Sequence, residues 1–425
     1  MFKRAVFAAV WMFAASHAHA AELKLLIGGA MQEPFKEVGA AYAKQSGSTL
    51  DFTVDTTGAL QNKLRSGAPA DLILVSAPGM DALQKENRIV PGTRVDLARA
   101  LIGVSVKQGA AVPDLSSEEA FKKAAADKKV AFMPVSMGMG FIQGIYVALK
   151  RQADALGYEI IVRDPNWNVD AGAQALSQLI DEKPDIIIVQ NVDTQAYNKL
   201  VKKANEAGIY VIQYNMKTPN NGDVLVGGDW YQMQAMQSDE LIRLCSTDHG
   251  KNGKVAIIQG VPTGPANQIG HMAIMDKLKG RKDITIVADQ AADWDASKEH
   301  SVGATILKQH PDLCGFIGAW DESQVGLAAA VKEAGLSGKV AIVSEGSGNQ
   351  AAGCDNIANG NYASYVKWDM RTQGRDLNAA IVTVLQTKPK PGSDPFALYT
   401  PMEILTKDNL HPGSCWTLDE VKQGG

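Results

Sequence analysis

The stretch from Lys129 to Asp164 reads KVAFMPVSMGMGFIQGIYVALKRQADALGYEIIVRD, and its pattern decides the fold. A short apolar run and a glycine-broken turn come first, and apolar residues then recur at helical spacing from Ile142 to Leu156. Gly157 ends the predicted helix, and a second strand begins at Glu159. The loop after the first strand lies at the carboxyl edge of a parallel sheet, where open α/β folds bind ligands. Phe141, predicted to be exposed in that loop, is therefore the first candidate contact.

The composition indicates a large folded protein without a basic surface. With 425 residues, of which 45% are hydrophobic, the chain is long enough for two or three domains. The formal charge of −4 gives no reason to expect a nucleic acid or an anionic membrane as a partner. Small neutral or mildly cationic ligands stay possible.

The first twenty residues have the pattern of an export signal. Lys3 and Arg4 precede an apolar stretch from Ala5 to Ala15, and Ala18-His19-Ala20 forms an A-x-A cleavage site. That stretch is too short to span a bilayer. We therefore predict a cleaved signal peptide over residues 1–20 and a periplasmic location, with a retained amino-terminal anchor as the alternative.

Four cysteines would then lie in an oxidising compartment: Cys245, Cys314, Cys354 and Cys415. Their spacing matches no zinc pattern, and the histidines beyond the signal show no metal spacing, so no metal or cofactor is expected. Four cysteines allow three full pairings. If one pair forms, Cys245 with Cys314 is favoured, because both fall at the end of the predicted sheet away from the loops.

From Glu22 onward, predicted strands and helices alternate, which indicates a parallel α/β fold. The segment 22–123 contains GGAMQEPFKEVGAAYAKQSG, TTGAL, SGAPADLILVSAPGMDAL and VPGTRVDLARALIGVSVKQG, and these motifs resemble the opening lobe of a molybdate-type (type II) periplasmic solute-binding protein. The resemblance implies a partial type II lobe over residues 21–111. Thr56 and Thr57 match an oxyanion-binding loop of that family. Because such a site needs two lobes and only one is found, a structural half-domain is favoured over oxyanion binding.

Residues 112–128 are polar and charged, and Ser116 to Glu119 resemble a helix start. We interpret the segment as a linker. It fits a helical linker, a seam between fused genes or a faulty gene model equally well.

A second series of motifs fills residues 129–425: LGYEIIV, KPDIIIVQNVD, ANEAGIYVIQYN, GKVAIIQGVPTG, DQAADWDASK, HPDLCGFIGAWDESQVGLAAAVKEAG, KVAIVSEGS and NGNYASYVKWDM. In this order they resemble the ribose-type (type I) periplasmic sugar-binding proteins of ABC transporters. The resemblance implies two Rossmann-like lobes with parallel sheets, joined by a hinge that the chain first crosses near residues 227–230. It also implies a late crossing that returns residues beyond about Thr400 to the first lobe.

The same resemblance assigns ligand contacts in the first lobe. Phe141 matches the family's stacking aromatic. Gly138 and Met139 stand where the family has an asparagine, which Ser136 partly replaces. Asn215 followed by Met216 replaces an aspartate and arginine pair, which removes a bidentate fork and argues against ordinary hexose or pentose specificity. A further family arginine corresponds to Asn267 or Gln268.

In the second lobe the resemblance points to Trp294, Trp320, Asp321, Glu345 and either Lys367 or Trp368. Together with Phe141 and Asn215 these residues predict an aromatic, net acidic pocket. The alternatives are tryptophans that fill the core and carboxylates that cap helices. Trp230 is interpreted as a hinge residue, and the methionines near the loops as core residues.

The chain offers no nucleophile with an assisting base and no complete phosphate loop, so an enzyme is not expected. The motifs favour an exported, monomeric binding protein that captures a sugar, polyol or related polar ligand by hinge closure for the permease of an ABC transporter. The alternative is a periplasmic sensor module that presents a ligand to a membrane receptor or a histidine kinase.

Overall fold

A computed structural model describes residues 22–97, 122–123 and 125–423. The predicted signal peptide over residues 1–20 and the predicted helix start at 116–119 lie outside the described residues. The chain divides into two compact units, residues 1–105 and 106–425. No helix in the described part of the chain is long and apolar enough to cross a membrane.

The first unit contains one small parallel sheet. Its strands are β1 (Glu22–Gly28), β2 (Thr49–Asp55) and β3 (Leu72–Leu74), in the order β2-β1-β3, and its helices are α1 (Gln32–Ser46), α2 (Thr57–Arg65) and α3 (Ala77–Lys85). The core is small: Ile27, Leu60 and Leu83 are fully buried, whereas Val38 and Val90 are exposed. This unit is therefore one small sheet with its helices and a limited apolar core.

The second unit contains two α/β lobes. The strands of the first lobe are β4 (Lys129–Met133), β5 (Glu159–Val162), β6 (Ile186–Val189), β7 (Tyr210–Tyr214), β8 (Val224–Gly227) and β14 (Phe396–Tyr399). They form a wholly parallel sheet in the order β14-β8-β7-β6-β4-β5. The helices of this lobe are α4 (Gly140–Leu156), α5 (Val169–Glu182), α6 (Asn198–Glu206) and α12 (Met370–Thr387).

The strands of the second lobe are β9 (Lys254–Gln259), β10 (Thr285–Ala291), β11 (Gly315–Gly318), β12 (Ala341–Gly346), β13 (Ser364–Trp368) and β15 (Met402–Leu405). Their order is β10-β9-β11-β12-β13-β15, and only β15 among them runs antiparallel to its neighbour. The helices are α7 (Trp230–Cys245), α8 (Pro265–Leu278), α9 (Ala296–Gln309), α10 (Asp321–Glu333) and the short α11 (Asp355–Ala358), and a last helix, α13 (Leu418–Gln423), ends the described chain.

Helix α4 shows how the sequence sets these elements. Ile142, Ile145, Leu149 and Ala153 are buried at successive turns, so one apolar face packs on the sheet. The helix ends where Gly157 adopts φ +80°, a left-handed conformation that glycine takes without a Cβ clash. The strand-helix-strand pattern of the opening stretch is thus present.

The chain passes between the lobes at four places: between Gly227 and Trp230, after Trp368 into α12, between Tyr399 and Met402, and again before α13. The prediction that residues beyond about Thr400 return to the first lobe was wrong for β15, which pairs with β13 of the second lobe. Leu405 is buried in the core of that lobe, which explains the pairing. The chain returns to the first lobe at α13, where Leu418 and Val421 pack against its core and the Val421 carbonyl accepts a hydrogen bond from Arg151 at 2.7 Å.

Two disulfides lie in the second lobe. The structure contains the pair that the sequence favoured, Cys245 with Cys314, at a Cα separation of 5.6 Å. It also contains Cys354 with Cys415, which closes a loop of 61 residues and ties the carboxyl-terminal segment to the lobe. All four cysteines are therefore paired.

Candidate ligand-binding site

A cavity of about 60 Å³ lies between the two lobes of the second unit. Its wall is built from the loops at the carboxyl ends of the strands and from the first turns of the helices that follow. Six aromatic side chains line it: Phe141, Trp167, Trp230, Trp294, Trp320 and Trp368. The site thus occupies the position where parallel α/β sheets hold their ligands.

Four of these rings contact one another in series, with steep angles between the planes of successive rings. The Phe141 ring lies 6.4 Å from that of Trp320 at an interplanar angle of 73°, and 5.8 Å from that of Trp368 at 89°. Trp368 in turn meets Trp230 at 6.2 Å and 80°. Edge-to-face contacts of this kind stabilise aromatic clusters. Because neighbouring planes are nearly perpendicular, the rings form adjoining walls rather than a single stack.

A second aromatic pair joins the two lobes. Trp167 follows β5 of the first lobe and Trp294 follows β10 of the second, and their ring centroids are 6.1 Å apart. The Trp294 ring lies so close to Gly260 that a Cβ at that position would collide with it. Glycine is therefore required there for the ring to keep its place.

Several lining residues have a positive φ, a backbone conformation that residues other than glycine rarely adopt. Trp167, Asn215, Trp294 and Trp320 have φ values of 66°, 56°, 57° and 73°. Each such conformation costs about 1 to 3 kcal/mol and persists only where the surrounding structure holds it. Left-handed residues of this kind concentrate at functional sites, which supports the cavity as the functional site of this unit.

Glu345 supplies the carboxylate of the wall. One of its oxygens accepts the backbone N–H of Trp320 at 2.8 Å, and the other accepts the indole N–H of Trp368 at 3.1 Å. Burial raises the pKa of Glu345 to about 7, and the two hydrogen bonds oppose that rise. The wall holds one further titratable side chain, His271, and its imidazole lies 2.7 Å from Asp289. No lysine or arginine is among the lining residues, all of which the structure describes.

Amide groups fill the remaining polar positions. Asn215 and Gln373 exchange two side-chain hydrogen bonds, at 2.8 and 3.2 Å, so the Asn215 amide is already engaged. Asn267 accepts the backbone N–H of Gly260 and donates to Gln259. By contrast, Gln234 Oε1 and Trp320 Nε1 are buried without a hydrogen-bond partner among the described residues. These two atoms are therefore available to a ligand.

The structure brings together most of the residues that the sequence singled out, namely Phe141, Asn215, Asn267, Trp294, Trp320, Glu345 and Trp368. Phe141, however, is only 4% exposed and lies in the first turn of α4 rather than in an exposed loop. The helix begins one residue before Phe141, which turns its ring inward against Trp320 and Trp368.

Three candidates lie outside the cavity wall, and protein groups satisfy their polar atoms. The Ser136 hydroxyl donates to Asn166 and accepts from Gly138. Asp321 accepts the phenol of Tyr365 at 2.6 Å and the N–H of the residue that follows it. Lys367 donates to the Ser414 carbonyl at 2.6 Å and pairs with Glu403. None of the three is among the lining residues.

Sequence reasoning missed other lining residues, which include Met139, Trp167, Gln190, Met216, Trp230, Gln234, Gln259 and His271. Trp230, interpreted as a hinge residue, begins α7 at the crossing and also lines the cavity, where its indole donates to the Asn215 carbonyl at 2.5 Å. Met139 likewise faces the cavity. A signal for Trp167 was present: Asn166-Trp167-Asn168 before α5 repeats the pattern of Asp293-Trp294-Asp295 before α9.

The two threonines of the first unit have local roles. Thr56 accepts the N–H of Ala59 at 3.3 Å and so caps α2, and the Thr57 hydroxyl accepts the N–H of Ser76 at 3.4 Å. Both oxygens therefore serve the unit's own backbone.

The fold and the cavity between the lobes define a two-lobed solute-binding protein. The chain belongs to the periplasmic binding protein domain family, whose model matches residues 130–389, more than half of the chain. A second model, of bacterial extracellular solute-binding proteins, matches residues 23–224 and so begins in the first unit.

Curated relatives include sugar-binding proteins. The chain is 26% identical over 222 residues to the ribose import binding protein of Bacillus subtilis, which covers 50% of this chain and 67% of that protein. It is 26% identical over 203 residues to the D-ribose/D-allose-binding protein of Pseudomonas aeruginosa, covering 46% and 61%. A shorter match, 35% identical over 106 residues, is to the aconitate isomerase of a Pseudomonas species, covering 24% and 40%. The matches thus span less than two thirds of the Pseudomonas aeruginosa protein and of the aconitate isomerase.

Solved structures share the fold. A glucose-galactose binding protein from Geobacillus stearothermophilus has a TM-score of 0.60 at 21% identity, covering 67% of this chain and 99% of that one. A solute-binding protein of an ABC transporter from Burkholderia graminis, solved in complex with D-arabinose, has a TM-score of 0.61 at 23% identity, covering 67% and 97%. The second unit therefore has the type I periplasmic binding fold.

Proposed function

We propose that this protein is an exported, monomeric solute-binding protein that captures a small polar ligand, such as a sugar, a polyol or a related compound, and delivers it to the permease of an inner-membrane ABC transporter. The observation that carries the proposal is the cavity between the lobes, whose wall combines aromatic faces with a few fixed polar atoms. The export pattern of residues 1–20 and the sugar-binding relatives support it.

Capture would proceed by closure of the two lobes. Thr194 of the first lobe donates its backbone N–H to the Thr263 carbonyl of the second lobe at 3.1 Å, and its hydroxyl lies 2.9 Å from that carbonyl and from Gln268 Oε1. The lobes therefore touch at the rim of the cavity in this structure. A ligand that contacts both walls binds the closed state better than an open one, and this difference in affinity drives closure.

The wall favours binding over catalysis. Its one carboxyl, Glu345, accepts two protein N–H groups, so both of its oxygens are already engaged by the protein. A general acid or base needs free access to the proton that it transfers. The aromatic planes can instead cover C–H groups, while the free atoms of Gln234 and Trp320 bind hydroxyls.

We further propose that the first unit is a structural half-lobe. In support, the hydroxyls of Thr56 and Thr57 already bond to the backbone of the unit. Binding of molybdate or sulfate to the purified chain, tested by calorimetry, would contradict this view.

The proposal can be tested with the full mature chain by tryptophan fluorescence and thermal-shift screening against sugars, polyols and their aminated counterparts. A ligand that closes the cleft should change the emission of the tryptophans in the wall and raise the melting temperature. If no compound of the panel does either, and freshly purified protein carries no small molecule in native mass spectra, the proposal fails.

A further inference from the structure

This inference rests on the proposed function and concerns the charge of the solute. The cavity wall has one carboxylate, Glu345, which is 2% exposed, and no lysine or arginine among its lining residues, every one of which the structure describes. Both carboxylate oxygens accept N–H groups, an arrangement that holds an anion in place. A buried anion without a cationic partner is costly, so the site gains most from a ligand that brings the positive charge.

The aromatic rings around Glu345 suit such a ligand. Trp320, Phe141, Trp368 and Trp230 form a continuous series in which each ring stands nearly perpendicular to the next. Two members of the series, Trp320 and Trp368, also donate the hydrogen bonds that fix the carboxylate. The negative charge therefore lies beside the rings. Boxes of aromatic faces attract ammonium groups through the ring quadrupoles, most strongly where water is excluded.

Two further atoms indicate a hydroxyl on the same ligand. Gln234 is 4% exposed, and its Oε1 atom is a buried acceptor without a partner among the described residues. The Nε1 atom of Trp320 is a buried donor in the same situation. A hydroxyl both donates and accepts, so hydroxyl chemistry on the ligand matches both needs.

We propose that the cavity selects a small ammonium compound that carries a hydroxyl group, and that it binds such compounds more tightly than neutral sugars. Glu345 neutralises the ammonium group, the aromatic series surrounds it, and Gln234 with the Trp320 indole binds the hydroxyl. The bidentate arginine that grips sugar hydroxyls is not needed for such a ligand.

Isothermal titration of the full mature chain with matched pairs of compounds tests the inference. Choline is compared with 3,3-dimethylbutanol, which has the same shape without the charge, and ethanolamine is compared with propanol. At least one cation should bind at least about tenfold more tightly than its neutral counterpart. The Glu345→Gln variant should lose most of that difference, whereas the Glu299→Gln variant, which changes a buried carboxyl away from the cavity wall, should keep it.

The outcomes separate the inference from the proposed function. If D-ribose or erythritol binds while neither cation does, the ammonium ligand is wrong and the solute-binding function stands. If each cation binds no better than its neutral counterpart, the inference also fails. If no sugar, polyol or cation binds, both proposals fail.

Discussion

The indole nitrogen of Trp368 donates a hydrogen bond to the carboxylate of Glu345 at 3.1 Å. The two residues lie on adjacent parallel strands, β13 and β12, whose register aligns Lys367 with Gly346. Because both residues stand at strand ends, the sheet fixes the carboxylate beside the aromatic rings. This pair therefore connects the sheet of the second lobe to the cavity wall.

Replacing Trp368 with phenylalanine should weaken ligand binding. The carboxylate would lose one of its two N–H donors, and hydrogen bonds to charged groups contribute about 1.5 to 3 kcal/mol. We expect at least about a tenfold rise in Kd, measured by titration calorimetry with a ligand from the panel, at an unchanged circular dichroism spectrum. Equal affinity of the variant and the parent would show that the ligand does not depend on the position of Glu345.

The Glu345→Ala and Trp294→Ala variants should each weaken binding by at least tenfold, about 1.4 kcal/mol, with little loss of fold. The first removes the carboxylate of the wall, and the second removes the ring that meets Trp167 across the cleft. Tryptophan fluorescence titration measures both effects. If both variants bind like the parent, the second-lobe wall is not the site.

Gly260→Ala tests the placement of the Trp294 ring without changing the ring itself. The added methyl group would collide with the indole, so Trp294 should move and affinity should fall. Gly140→Ala is the matched control, since its methyl group would meet nothing nearer than 3.7 Å. Calorimetric titration should show a loss for the first variant and near-parent affinity for the second. The same affinity for both variants would argue against a role for Trp294.

Glu299 should make stability depend on pH. Burial raises its pKa to about 8 from an ordinary value of 4.5, while a hydrogen bond from Ser323 at 2.5 Å opposes the rise. Its contribution to stability is complete below the unfolded pKa and is lost as pH rises through the folded value, by about 1.4 kcal/mol per pH unit between them. Between about pH 5 and about pH 8, the melting temperature of the parent should therefore fall more steeply with rising pH than that of Glu299→Gln. Parallel curves would contradict the raised pKa.

The disulfide between Cys354 and Cys415 should stabilise the second lobe. Closing a loop of 61 residues restricts the unfolded chain, and the chain-entropy model gives about 4 kcal/mol for that length. The double variant Cys354→Ser with Cys415→Ser should therefore melt several degrees lower in calorimetry. The same melting temperature as the parent would show that the carboxyl-terminal segment is held by packing alone.

Much of the architecture could be predicted from the sequence because strands and helices alternate with clear boundaries. The helix from Gly140 ends at Gly157 as its pattern indicates, and the first crossing falls between Gly227 and Trp230. The late crossing could not be predicted in the same way. Short apolar segments such as β15 fit either sheet, and the choice depends on which core buries Leu405.

The site was predictable only to the level of strand ends. Lys367 and Trp368 are neighbours in β13, and adjacent residues of a strand point to opposite faces of the sheet. Because the sequence left the alignment uncertain by one residue, it could not tell which of the two reaches the cavity. The structure turns Trp368 inward and pairs Lys367 with Glu403. The engagement of Asn215 by Gln373, 158 residues away, depends on tertiary contacts that no local pattern records.

Native mass spectrometry of the full mature chain and of a Trp294→Ala, Glu345→Ala double variant shows whether the tryptophan-lined cavity holds the solute. We expect the parent to take up one equivalent of a small solute, either retained from the cell or chosen from the panel, and the double variant to take up none at the same concentration. Equal uptake by both proteins, or no uptake by either across the panel, would contradict the assignment of the tryptophan-lined cavity as the solute site.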